Sequence, residues 1–189
     1  MRFSLSAILA ASVVLAAPAV PNRNDGSLVF GAEKTHVIYV RGRTINPNKI
    51  TVAIGSTVRF EFGGNFQSVV EADFNAPCQP KDDGFASGQF TSTETVDKFD
   101  KGFEIKIEHG RPIWFYNGAS QFCSEVGIVG VINPGMAKGQ ALEDFAFKAM
   151  QTSETVDASK RGGTDVDVRV QAKTAILAPV ISAIPEPGY

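Results

Sequence analysis

Residues 112–134 read PIWFYNGASQFCSEVGIVGVINP, which parses as a strand, a tight loop and a second strand. Residues 113–116 are an apolar, aromatic run, and residues 128–132 are β-branched and interrupted only by Gly130. Both compositions suit a pleated, half-buried surface better than a helix. The loop between them carries Cys123, and the chain's second cysteine is Cys78.

Upstream, the same period-2 signal recurs. His36 to Val40 alternates and opens a first strand. A connection follows from Arg41 to Asn48, with Asn46-Pro47-Asn48 as its turn. Ile50, Val52 and Ile54 alternate with Thr51 and Ala53; Gly55-Ser56 breaks the run, and Val58, Phe60 and Phe62 resume it. The expectation is a β-hairpin with one buried and one wet face. Residues 91–97 are polar and read as an exposed loop. Phe103, Ile105 and Ile107 form another alternating run, which His109-Gly110-Arg111-Pro112 turns into the central stretch.

Downstream of Pro134 the period changes. Residues 138–151 predict one amphipathic helix with Leu142, Phe145, Ala146, Ala149 and Met150 on a shared face. A polar stretch to Thr164 contains Gly162-Gly163 and the basic pair Lys160-Arg161, read as exposed charge. Residues 165–170 alternate Val with charge and suit an edge strand. Residues 175–184 are apolar, but the polar close at 185–189 does not fit a lipid-anchor signal.

Residues 1–19 have the form of a secretory signal. Arg2 supplies the positive start, residues 5–17 are apolar and too short to span a bilayer, and Ala17-Pro18-Ala19 is a small-residue cleavage site. Export implies an oxidising compartment, where Cys78 and Cys123 read as one disulfide. The chain has 189 residues and a formal net charge of −2. That balance gives no reason to expect nucleic acid or an anionic membrane as partner. No HExxH, phosphate loop or dinucleotide fingerprint is present, and the two histidines sit in no catalytic motif. The expectation is therefore not an enzyme.

Several blocks resemble the cupredoxins, in particular the secreted fungal and plant types. These are residues 36–62, Phe74-Asn75-Ala76-Pro77-Cys78, Gly84-Phe85-Ala86-Ser87-Gly88, and the central stretch itself. The resemblance implies a Greek-key β-sandwich and a bridge between Cys78 and Cys123. It also implies where a copper site would lie. A type-1 centre takes two imidazoles, a thiolate and a weak axial donor. Here Gln67 stands where the first His would be, Asn117 where the Cys would be, Phe122 where the second His would be, and Ile128 where the axial Met would be. None of these is a copper ligand. Phe122 and Ile128 are expected to plug the vacated volume, and Gln67 and Asn117 to pair by hydrogen bonds. His36 and His109 lie far from the loop in sequence and are read as an edge residue and a solvated turn residue.

The sequence thus predicts a mainly β chain with this plan: signal peptide 1–19, flexible lead-in 20–35, cupredoxin-like domain 36–134, helix 135–151, and loosely ordered tail 152–189. The expected protein is secreted and monomeric, holds no cofactor or metal, has no stable membrane span, and acts without catalysis on an extracellular or cell-wall component. The competing expectation is an extracellular metal or redox protein with a non-standard site drawing on carboxylates such as Asp82, Asp83 and Glu125, which otherwise read as solvated loop charges. Phe66 is a candidate contact residue, though core packing is the commoner use of Phe in a sandwich.

Overall fold

The structure, a computed structural model, describes residues 34–91 and 99–168. In chain order its elements are β1 (Thr35–Arg41), β2 (Thr44–Asn46), β3 (Lys49–Ile50), β4 (Thr57–Gly63), β5 (Asn65–Gln67), β6 (Val70–Ala72), β7 (Phe90–Thr91), β8 (Phe99–Lys106), β9 (Ile113–Tyr116), α1 (Phe122–Val126), β10 (Val129–Ile132), α2 (Leu142–Ala149) and β11 (Thr164–Asp167). They form a five-stranded sheet ordered β11-β8-β4-β1-β2, a four-stranded sheet ordered β3-β10-β9-β6, and the small pair β5-β7. The signal, the lead-in as far as residue 33, most of the polar loop after Phe90 and the apolar C-terminal stretch lie outside the described residues.

The two larger sheets face each other across an apolar core. Ile38, Val58, Phe60 and Phe103 come from one sheet and Ile113, Phe115 and Ile132 from the other. β9 shows why its sequence is a continuous apolar run. Ile113 and Phe115 enter this core, while Trp114 and Tyr116 point to the opposite face, where they pack with Leu142, Phe145 and Ala149 of α2. A strand covered on both faces has no polar side to alternate with. Each large side chain so buried contributes about 1.5–3 kcal/mol. Gly130 on β10 belongs to the same packing: a Cβ there would stand 2.3 Å from the ring of Phe115.

The expected hairpin does not form. β3 pairs in parallel with β10 in the smaller sheet, whereas β4 pairs in parallel with β1 and antiparallel with β8 in the larger. Between them the chain crosses from one sheet to the other, and Gly55 turns it at φ 88°. Gly55 N–H donates to Ile107 O at 2.8 Å and Ile107 N–H to Ser56 O at 2.9 Å, so the turn is tied to the chain leaving β8. Alternation along the sequence marked β1 and β4, but of the run Ile50 to Ile54 only Ile50 lies in a strand, and alternation carries no information about which neighbour a strand takes.

The expected wet face is also covered. Along β4 only Arg59 is as much as half-buried; Glu61 is 6% exposed. Burial pushes the Glu61 carboxyl above its ordinary value, and the Arg59 guanidinium 3.7 Å away offsets this in part. A raised carboxyl in the folded state means that the unfolded chain gives up its proton first. The stability Glu61 contributes is therefore fully present below the ordinary glutamate value of about 4.3 and is lost as pH rises through the folded value. Glu61→Gln, which cannot ionise, is expected to gain stability relative to the natural chain as pH rises from 4 to 7 in urea unfolding. A difference that stays constant with pH contradicts this assignment.

Three further departures concern the ends of elements. The connection after β1 contains a short strand, β2, antiparallel to β1. The helix is shorter than expected because Ala141 is still extended at φ −83°, ψ 161°, and the Asp144 carboxylate accepts from its N–H at 3.0 Å. Met150, expected on the buried face, lies past the last helical residue and is half-exposed.

The segment from Thr152, expected within a loosely ordered tail, runs back across the sandwich. Val156 N–H donates to Cys78 O at 2.9 Å, Tyr116 Oη donates to Val156 O at 2.5 Å, and Arg161 exchanges backbone hydrogen bonds with Ala86. Arg161 also donates through Nε to Gly84 O at 2.8 Å and through its terminal nitrogen to Lys81 O at 2.9 Å. The pair read as plain exposed charge is thus built into a strap. The strap ends in β11, the edge strand expected from the Val/charge alternation, antiparallel to β8.

Candidate functional site

The four positions that the resemblance assigns to copper come together at one end of the sandwich. Asn117 follows the last residue of β9, and Gln67 closes β5. Asn117 Nδ2 donates to Gln67 Oε1 at 2.9 Å, and both side chains are buried at 0% and 3% exposure. Asn117 N–H donates to Ile128 O at 3.0 Å, and Ile128 N–H donates to Phe122 O at 3.1 Å. An unbroken run of hydrogen bonds therefore joins all four.

Local sequence explains the geometry. The loop expected after Tyr116 is partly helical: α1 covers Phe122–Val126 and stops at Gly127, which takes the left-handed conformation at φ 69°. That turn delivers Ile128 back toward Asn117. Gly118 is required by close approach, since a Cβ there would stand 2.7 Å from both Ser68 Oγ and Asp157 Oδ1. The disulfide between Cys78 and Cys123, expected from the sequence, fastens α1 to the segment after β6, and both sulfurs are buried beneath α2.

The Asn117 amide is fully used. Besides Gln67, its Nδ2 donates to Gly42 O at 3.2 Å. Its Oδ1 accepts from Ala119 N–H at 3.0 Å, with a longer contact from Ser68 N–H at 3.5 Å. A buried amide satisfied on both sides presents no spare lone pair. Ile128 packs against the apolar core. Phe122 departs from expectation: it is half-buried and belongs to neither core cluster, because it sits in the first turn of α1 at the surface. The plug is half of what the sequence led one to expect.

A copper ion does not fit this donor set. Two amides bonded to each other, with Asn117 also bonded to the backbone, a phenyl ring and a butyl group offer no imidazole or thiolate, and the Cys123 sulfur is engaged with Cys78. The histidines do not help. His36 pairs with Val58 near the start of β4, six residues of extended chain from Gly42, or about 20 Å. His109 follows the far end of β8; it is half-buried rather than solvated, and its Nδ1 has no hydrogen-bond partner among the described residues. Asp82, Asp83 and Glu125 are exposed. Among the described residues no group of three or more His, Cys, Asp or Glu side chains is arranged to hold a metal ion.

Sequence reasoning missed the strap's contribution to this end. Ser68 Oγ donates to Asp157 Oδ1 at 2.9 Å. Gln121 Oε1 accepts from Thr155 N–H at 2.8 Å, and Thr155 Oγ1 accepts from Ser124 N–H at 2.9 Å. The strap lies more than thirty residues downstream, and no pattern in its polar sequence announces the contact. Phe66 was legible only as a candidate; it is 55% exposed.

Comparison with solved structures finds similar arrangements. A plastocyanin from Dryopteris crassirhizoma matches with a TM-score of 0.36 and 16% identity over 51% of this chain and 97% of its own. A native pseudoazurin from Hyphomicrobium denitrificans matches with a TM-score of 0.36 and 14% identity over 64% and 99%. A pseudoazurin from Sinorhizobium matches with a TM-score of 0.33 and 14% identity over 66% and 86%. The chain itself is mainly β, with both parallel and antiparallel pairing in each of its two larger sheets. No family model matches the chain. No curated protein matches it either.

Proposed function

We propose that this chain is a secreted, copper-free, cupredoxin-like protein with a non-catalytic binding or structural role at the cell wall or in the extracellular space. The observation that carries the reading is the buried Asn117–Gln67 amide pair, 2.9 Å apart, standing where the resemblance expects a thiolate and an imidazole. Electron transfer through copper depends on those ligands. Without them the sandwich retains a rigid, disulfide-fastened surface, which is what a binding module needs. Among the described residues no helix is long and apolar enough to cross a membrane.

Sedimentation with isolated wall material tests the role. The purified full chain is expected to co-sediment with the insoluble wall fraction, and a chelator is expected to leave the bound fraction unchanged. A chain that stays in the supernatant contradicts the wall-binding role. Binding that disappears with the chelator would instead support the competing metal-dependent reading.

A further inference from the structure

We infer that the groove beside Tyr39 and Phe99, on the outer face of the larger sheet, binds a short run of a neutral hexopyranose chain with equatorial hydroxyls. The inference rests on the wall-binding role and names the ligand class behind it.

Strand register assembles the groove. One row across the sheet runs Asn46, Tyr39, Glu61, Gly102, and the next runs Thr44, Arg41, Gly63, Phe99. Residues directly opposite one another share a face, and Val40 and Phe62, the neighbours along the strands, belong to the core. Both rows therefore point outward. Gly63 lies between Arg41 and Phe99 in register, brings no side chain and is buried. The Tyr39 and Phe99 rings meet beside it with centroids 4.9 Å apart at a 58° tilt. Tyr39 is 41% exposed, and Tyr39, Arg41, Thr44, Asn46 and Phe99 together line a cavity of about 410 Å³.

The chemistry of this lining selects a ligand. Tyr39 presents its ring to solvent, with the half-buried Phe99 ring packed against it. A pyranose with equatorial hydroxyls shows axial C–H groups on its face and hydroxyls around its edge. The face packs on aromatic rings, and the edge needs a rim of donors and acceptors. Arg41 carries only donors, the Asn46 amide carries both, and the Thr44 hydroxyl, which already donates to Arg41 O at 2.6 Å, has lone pairs left to accept. The cavity lies within the roughly 300–1,000 Å³ range of small-ligand sites. A single-stranded nucleic acid would also stack on the rings, but it needs a basic track, and Arg41 is the one cation among these lining residues. A larger cleft at the opposite end, about 540 Å³, is lined by Glu71, paired with Lys81, and Glu104, paired with Arg59, both at 2.6 Å, together with Asp83, Glu108 and His109.

Calorimetric titration of the purified full chain with cellohexaose, laminarihexaose, chitohexaose and maltohexaose tests the inference. At least one of these hexaoses is expected to bind. Tyr39→Ala and Phe99→Ala are each expected to weaken binding by roughly tenfold or more, whereas Tyr39→Phe retains the ring and most of the affinity. Phe66→Ala, at an exposed ring elsewhere, leaves binding unchanged. Thermal melts check that the variants fold. No binding by any of the four hexaoses, affinity indifferent to loss of Tyr39, or displacement of the hexaose by a proline-rich peptide that binds more tightly overturns the inference. Co-sedimentation with walls but no hexaose binding removes this inference alone; absence of co-sedimentation removes the role beneath it.

Discussion

Cys78→Ala combined with Cys123→Ala is expected to lower the unfolding free energy by about 4 kcal/mol. The bridge joins residues 45 apart in sequence, and closing a loop of that length removes about this much conformational freedom from the unfolded chain. Alanine is the right replacement because both cysteines are fully buried among Trp114, Tyr116, Phe145 and Ala149, where a serine hydroxyl would need a partner. The effect reaches further than the two sulfurs. Cys78 O accepts from Val156 N–H in the strap, and Cys123 lies within α1, one residue before Ser124, which bonds Thr155. Loosening either end is expected to free the strap, so trypsin should cut at Lys160-Arg161 faster in the double variant than in the natural chain. Equilibrium denaturation measures the first effect and a limited-proteolysis time course the second. A loss below roughly 1 kcal/mol with unchanged cleavage would mean that packing under α2 holds this region without the bridge.

Asn117→Ala is expected to cost about 2–4 kcal/mol, far more than a surface amide. Its side chain answers the Ala119 N–H, the Gly42 carbonyl and Gln67 Oε1 at once, all within or beside buried structure. Removing it strands those groups, and each stranded buried group costs about 1–3 kcal/mol before relaxation. Gln67→Ala removes the bond between the two amides and leaves the Ala119 and Gly42 bonds of Asn117 in place. The double variant should then fall short of the sum by about 0.5–1.5 kcal/mol, the coupling expected of one buried hydrogen bond. Additive effects would show that the two amides do not act as a pair. Urea unfolding of the four proteins completes the cycle.

How far the sequence reached is visible in these same residues. The strands announced themselves because alternation along 36–62 and 103–107 reports a face. The pairing between Asn117 and Gln67 followed from family resemblance plus the rule that buried amides find partners. Neighbour choice was illegible: alternation in Ile50 and in Val58 to Phe62 reads the same whether the strands pair with each other or with β10 and β8. Phe122 was misjudged because hydrophobicity speaks for burial but not for position in a short helix whose buried side is taken by Cys123 and Ser124. Glu61 erred the other way. A carboxylate in an alternating strand reads as wet, and only the placement of β4 between β1 and β8 puts it at 6% exposure. The strap needed long-range contacts such as Ser68 to Asp157 that polar sequence does not signal.

The central claim is the proposal that amide and hydrocarbon side chains stand at the positions the resemblance assigns to copper, and that the chain takes up none. Titration of the purified full chain with Cu(I) and Cu(II) tests it most directly, with the visible spectrum, bound metal by mass spectrometry and free thiols in denaturant read on the same sample. The account predicts no intense visible band, no stoichiometric copper and no free thiol. A strong blue band with one copper per chain and a titratable Cys123 would contradict it.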